Sequence, residues 1–139
     1  MSGVKLESLH GRIRRSYEES LRNVGNHAEC IQRLRAELDA FPALLHQASA
    51  VNEFLDLDLA KSVHRTCLKL MAFCETSTNS QHVTFVLAAI HYFVNRLDGS
   101  PDFFGLDGFE DDAVVVNTVI TDLAINLPTI QFSGSKESA

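Results

Sequence analysis

The residues that could most readily bind a ligand or take part in a reaction lie in one acidic segment of the chain. Residues Asp98 to Asp112 contain six of the eighteen acidic residues in the 139-residue chain, and this segment has no Lys or Arg. The six are Asp98, Asp102, Asp107, Glu110, Asp111 and Asp112. The segment also contains turn-forming Gly and Pro residues and the aromatic pair Phe103-Phe104. Loops that combine these features are disproportionately functional.

One interpretation of the acidic segment is structural. Ser100-Pro101 has the form of an N-cap followed by proline at the first helical position, and Asp107-Gly108-Phe109-Glu110 has the form of a capping box. Glu110, Asp111 and Asp112 then fall in the first turn of the last helix. The positive end of the helix dipole stabilises each exposed acid there by about 0.3–1 kcal/mol.

A second interpretation is a site for Mg²⁺, Mn²⁺ or Ca²⁺, because these hard cations prefer carboxylate ligands. An EF-hand loop starting at Asp98 is rejected, since its sixth position is Phe103 instead of Gly and its twelfth is Phe109 instead of Glu. A non-standard site remains if the segment folds back on itself. Its ligands are Asp98, Asp102, Asp111 and Asp112, and it predicts a metal-binding protein or a metal-dependent enzyme.

A third interpretation is a docking surface for a protein partner, formed by Phe103, Phe104, Asp107 and Glu110. The chain has no nucleophile elbow, no His-Glu-x-x-His and no glycine-rich dinucleotide or phosphate loop. The sequence therefore predicts a non-catalytic interaction or regulatory module that binds a protein partner or a second copy of itself. The divalent-metal site is the alternative, and no other cofactor is expected.

The residues from Tyr92 to Asp112 resemble the signature of the YkvA-like family, small bacterial proteins of unassigned function. That signature is an apolar helix ending in Ser-Pro-x-Asp, then Pro-Asp, a Gly-containing turn and a terminal Asp-Asp. The matching positions are Asp98, Pro101, Asp102, Gly108, Asp111 and Asp112, whereas Arg96, Gly99-Ser100 and Gly105 depart from it. The resemblance covers about residues 82–120, implies a helical fold and implies no known reaction.

A second group of reactive side chains shares one helix face, because its members are three, four and three residues apart. The group is His64, Cys67, Met71 and Cys74. Cys67 and Cys74 lie roughly 10 Å apart along a helix axis, too far for one tetrahedral metal ion. We therefore predict core packing for this group. We also predict that His91, in the most apolar helix, is a hydrogen-bonded core histidine rather than a ligand.

The positions of the apolar residues predict an all-α, single-domain bundle of five or six helices over residues 1–132, with a flexible tail at 133–139. A break at Gly25-Asn26 separates the first two helices, and Pro42 suits the first turn of a third, since its missing N–H is unpaired there anyway. The His82–Leu97 helix is apolar almost all round and should be the most buried. The predicted helices cover residues 4–24, the residues up to about 39, 42–55, 57–75 and 82–97, followed by a last helix whose apolar positions run from 113 to 127.

Composition narrows the function classes further. With 45% hydrophobic and 22% charged residues, the chain is neither collagen-like, nor of low complexity, nor a disulfide scaffold. The longest apolar stretch, Val83–Val94, is twelve residues long and too short to cross a bilayer. Three Cys cannot all pair within one chain, and the N-terminus lacks the apolar run of a secretory signal. Both features favour a cytoplasmic location for the protein.

The charge of the chain is uneven. The formal net charge of −6 disfavours nucleic-acid binding, because the chain and the phosphate backbone repel each other. The acidic segment likewise disfavours peripheral contact with anionic lipids. Residues 98–112 alone sum to −6, so the rest of the chain sums to zero. The one basic cluster is Arg12, Arg14 and Arg15 in the first helix. Self-association, or docking of this helix against the acidic segment, is expected from that asymmetry.

Overall fold

The computed structural model describes residues 6–51, 56–95 and 108–132. A 3-10 turn at Leu6–Ser8 precedes five α-helices, and these ranges contain no β-strand. The helices are α1 (Gly11–Arg22), α2 (His27–Val51), α3 (Leu57–Thr76), α4 (Ser80–Asn95) and α5 (Gly108–Asp122). The predicted all-α bundle is confirmed. Residues 52–55 of the predicted third helix and the predicted tail at 133–139 lie outside the described residues.

Helix α4 forms the centre of the bundle. It packs against each of the other four α-helices, and the five consecutive residues Val86–Ile90 are fully buried. A helix that is apolar on all sides lowers the free energy most when other helices surround it. The prediction that this helix is the most central one is therefore confirmed.

Helix α1 begins later than the apolar pattern predicts. His10 is extended and Gly11 has a φ of +54°, so a helix starting near residue 4 is wrong. Leu9, before this break, is nevertheless buried in the core.

Within α1, the buried Tyr17 hydroxyl donates a hydrogen bond to the Phe85 carbonyl oxygen at 2.8 Å. Burial raises the pKa of Tyr17 well above its ordinary value, and the charge of Asp122 adds to the shift.

Helix α2 is one continuous helix of 25 residues with Pro42 inside it. The predicted end near Asp39 and the separate helix from Pro42 are therefore wrong. Proline in a helix interior costs about 3 kcal/mol, because it removes one hydrogen bond and crowds the preceding turn. Burial of one unbroken apolar stripe against α3 and α4 opposes this cost. The stripe is Leu34, Leu38, Phe41, Leu45 and Ala48, spaced four, three, four and three residues apart.

The carbonyl oxygen that Pro42 leaves without a helix donor is satisfied by α3. In a regular helix the N–H of residue 42 would donate to the oxygen of Leu38, and proline has no N–H. His64 Nε2 lies 2.7 Å from the Leu38 oxygen. Because a carbonyl oxygen only accepts, Nε2 must carry the proton. The His64 ring also stacks on Phe41, with centroids 4.9 Å apart.

A double-mutant cycle tests this arrangement. His64→Phe keeps an aromatic ring but removes the donor, so we expect it to lower the free energy of unfolding by about 1–3 kcal/mol. Pro42→Ala restores the N–H to Leu38, so His64→Phe should cost less in that background. Urea unfolding of the four proteins gives the coupling energy. An equal loss in both backgrounds would contradict the arrangement.

Helix α5 ends at Asp122, five residues before the apolar spacing predicts. Ala124 has a φ of +54°, and two hydrogen bonds close the helix end. The Ala124 N–H donates to the Thr121 oxygen, and the Ile125 N–H donates to the Ile120 oxygen. This is a Schellman motif in which Ala occupies the left-handed position that Gly usually takes.

Ala124→Gly should therefore stabilise the protein. We expect a gain of about 0.5–1 kcal/mol, because glycine adopts a positive φ without the steric penalty of a Cβ. The midpoint of urea unfolding measures it, and Ala36→Gly, at an exposed interior position of α2, should have the opposite sign. Destabilisation by both substitutions would show that Ala124 carries no strain.

The chain after α5 folds back along that helix. Asn117 forms two hydrogen bonds with Ile130, one accepting from its N–H at 2.7 Å and one donating to its oxygen at 2.9 Å. The Ile130 side chain is buried.

Among the described helices, none combines the length and apolar character that crossing a membrane requires.

Candidate functional site

The structure describes three of the eight residues predicted to form the functional site. Glu110, Asp111 and Asp112 lie in the first turns of α5, which begins at Gly108, as the capping-box pattern predicts. The other five lie outside the described residues and remain predictions. They are Asp98, Asp102, Phe103, Phe104 and Asp107.

Asp112 lies inside the bundle. Only 2% of its surface is exposed, and it is close enough to α3 that its charge affects Cys67. Burial is the main cause that raises the pKa of the Cys67 thiol, and Asp112 raises it further. A carboxylate is rarely buried to this extent unless it is held by other groups. We therefore infer that Asp112 contributes mainly to the structure of the bundle.

Asp111 faces α1. Its Oδ2 lies 3.6 Å from Nη2 of Arg12, whose side chain is 75% exposed while that of Asp111 is 16% exposed. An ion pair with one exposed partner contributes about 0–1 kcal/mol, so it orients α1 more than it stabilises the fold. Arg12 of the first helix thus lies beside the C-terminal end of the acidic segment, of which residues 98–107 lie outside the described residues.

Glu110 is half-buried, like Asp111. No group of three or more His, Cys, Asp or Glu in the described part of the chain is arranged to hold a metal ion. Two of the four proposed ligands, Asp98 and Asp102, lie outside that part. The four-aspartate metal site therefore stays a prediction.

The structure predicts different effects for substitutions at these acids. Asp112→Ala should lower the free energy of unfolding by about 1–3 kcal/mol, because groups that contact a buried polar side chain lose their partner. Glu110→Ala, in the same helix turn, should cost at most about 1 kcal/mol. Urea unfolding of both variants measures the difference. Equally small losses would show that Asp112 is not part of the bundle interior.

The predicted core packing of the cysteine face is confirmed. Cys67, Met71 and Cys74 are all buried in α3. Burial, with a smaller contribution from Cys30, raises the pKa of the Cys74 thiol to about 12. Because the thiolate is the reactive form, a thiol with so high a pKa is a poor nucleophile at neutral pH.

His91 connects α4 to α1. Its Nδ1 lies 3.0 Å from Ser20 Oγ, and the two residues line a polar cavity of about 260 Å³. The predicted hydrogen-bonded histidine is confirmed, although it is half-buried. A Ser-His pair suggests a hydrolase, but Ser20 lies within α1, where neighbouring N–H groups donate to helix carbonyls. They cannot form the oxyanion hole that acyl transfer needs.

A second cavity lies between α2 and α3 beside the internal proline, and we call it the Pro42 cavity. Its volume is about 260 Å³. Its lining residues are Phe41, Pro42, Leu45, His46, Ser49, Leu57, Lys61 and His64. The sequence does not predict this cavity, because the local preference of proline favours a helix start at Pro42. The uninterrupted apolar spacing through Pro42 was the signal for a continuous α2.

Comparison with protein families gives one match. A family model described as "Protein of unknown function (DUF1232)" matches residues 83–117. The matched 35 residues run from α4 into α5, within the range of the resemblance found in the sequence, and cover about a quarter of the 139 residues. This part of the chain is therefore similar to a family of unknown function. The chain has no match among curated proteins or solved structures.

Proposed function

We propose that this protein is a non-catalytic interaction module of the YkvA-like type that acts in the bacterial cytoplasm. Its contact surface is the acidic and aromatic segment 98–112, and its partner is a basic, partly apolar protein segment. The observation that carries the proposal is the charge of the segment. Six carboxylates occur there without any Lys or Arg.

The ion pair between Arg12 and Asp111 offsets only part of the charge of this segment. Arg12 adds one positive charge to a segment of −6, so −5 remains when the two are summed. A concentration of one sign of charge attracts an oppositely charged partner and accelerates association.

The arrangement of α5 fixes the C-terminal end of the proposed contact surface. Asp112 is buried and Asp111 faces α1, so the C-terminal end of the segment is held against the bundle. Phe103 and Phe104 supply the apolar area that gives a charged contact its affinity, since aromatic residues are enriched at interface centres. Charge thus provides attraction, and the aromatic pair provides burial.

The test is binding of a fluorescent peptide of alternating arginine and leucine, followed by anisotropy at low and high salt. We expect saturable binding that weakens as salt screens the charges. Asp98→Asn, Asp102→Asn and Glu110→Gln, combined in one protein, should weaken binding about tenfold, which corresponds to about 1.4 kcal/mol. The two residues that the bundle uses, Asp111 and Asp112, are left unchanged so that folding is preserved.

A matched control removes three exposed acids elsewhere, by Glu7→Gln, Glu19→Gln and Asp39→Asn. It changes the net charge equally and should leave peptide binding within about twofold, a difference below 0.5 kcal/mol. Phe103→Ser with Phe104→Ser should weaken binding without altering its salt dependence. Equal losses in the two charge variants would show attraction to net charge alone and would overturn the proposal, as would the absence of saturable binding.

A further inference from the structure

The Pro42 cavity has the composition of a site for a small amphiphile. Phe41, Pro42, Leu45 and Leu57 give it apolar walls. Leu57, at the start of α3, is 37% exposed, which is unusual for a large aliphatic side chain in the described part of this protein. Apolar surface that lines a concave cavity is the usual setting for ligand binding.

The polar side chains of the cavity favour an anion. Lys61 is positively charged, and His46 and His64 are the other titratable lining residues. No carboxylate is among the described residues that line the cavity. Asp56 and Asp58 flank Leu57 in sequence, but the Asp56 side chain caps α3 by accepting the Leu59 N–H at 3.0 Å. Lys61 thus gives the described lining of the cavity one formal positive charge, in a chain of net charge −6.

Pro42 adds apolar surface to the cavity without adding a backbone donor. Pro42 presents no backbone N–H to the cavity, and the Leu38 carbonyl that it frees already accepts from His64. The Leu38 carbonyl therefore adds no unsatisfied polar group beside the apolar walls. His64 keeps Nδ1 for other contacts, because its Nε2 proton is used in the bond to Leu38.

We propose that the Pro42 cavity binds a medium-chain aliphatic monocarboxylate. Its alkyl chain packs against Phe41, Pro42 and Leu57, and its carboxylate pairs with Lys61. The volume of about 260 Å³ accommodates a ligand of this size. At roughly 30 Å³ for each water-sized group, it holds about eight to ten non-hydrogen atoms, the size of octanoate. The site is separate from the acidic segment, so its failure would leave the interaction module untouched.

Isothermal titration of the full chain with octanoate tests the proposal. We expect saturable binding of one molecule with a Kd of about 0.1–1 mM, in line with the affinity that ten atoms can supply. 1-Octanol, which has the same chain without charge, should bind at least about fivefold more weakly, a difference of about 1 kcal/mol. Amide chemical shifts in the NMR spectrum should change around the cavity.

Matched variants separate this site from general surface effects. Lys61→Gln and Leu57→Gln should each weaken octanoate binding at least about fivefold. Lys69→Gln and Leu68→Gln, at other exposed positions of the same helix, should leave it unchanged. A thermal melt of each variant confirms that it folds. The proposal is overturned if octanoate does not saturate, if octanol binds equally well, or if the control variants weaken binding as much.

Discussion

The carbonyl oxygen of Leu38 is the point on which the arrangement of α2 and α3 depends. Proline at position 42 removes its ordinary helix donor, and a buried carbonyl without a donor destabilises a fold by about 1–3 kcal/mol. Donation from His64 allows α2 to continue through the proline as one helix. The same bond fixes the His64 tautomer and joins α2 to α3. The continuity of α2, its packing against α3 and the tautomer of His64 therefore all depend on this one hydrogen bond.

This constraint extends to the start of α5 through a cluster of rings. Phe41, next to the proline, stacks on His64 and lies 5.0 Å from the Phe93 ring of α4. Phe109 of α5 completes the cluster, with ring centroids 6.3 Å from Phe41 and 6.5 Å from Phe93. Four helices thus contribute one ring each. Phe109 precedes Glu110, Asp111 and Asp112, so the cluster also anchors the helix end that carries the acidic residues.

The sequence predicts most of this architecture, because most of it depends on local pattern. All-round apolarity identifies α4 as the central helix, and the capping box identifies the start of α5. The continuation of α2 was missed because the His64 donor lies 26 residues from Leu38, and the local preference of proline favours a helix start. The sequence does not predict the end of α5, because the helix ends at an alanine with a positive φ and not at a glycine, the usual residue in that conformation.

For the candidate site, the sequence identifies which residues carry charge but not where each one points. The helix-dipole argument treats Glu110, Asp111 and Asp112 as equivalent. In the structure, Asp112 is buried, Asp111 pairs with Arg12 and Glu110 is half-exposed. The Pro42 cavity is lined by residues of both α2 and α3, so the spacing within α2 alone does not indicate it. Charge can be assigned to a segment from sequence, whereas burial requires the packed helices.

The most direct test of the central claim is an NMR measurement of the His64 imidazole in ¹⁵N- and ¹³C-labelled protein. A through-hydrogen-bond correlation experiment detects scalar coupling between a donor nitrogen and the carbonyl carbon that accepts its hydrogen. The structure predicts a protonated Nε2 that correlates with the Leu38 carbonyl carbon. A neutral His64 protonated at Nδ1, with no such correlation, would contradict the claim that this histidine replaces the donor that Pro42 removes.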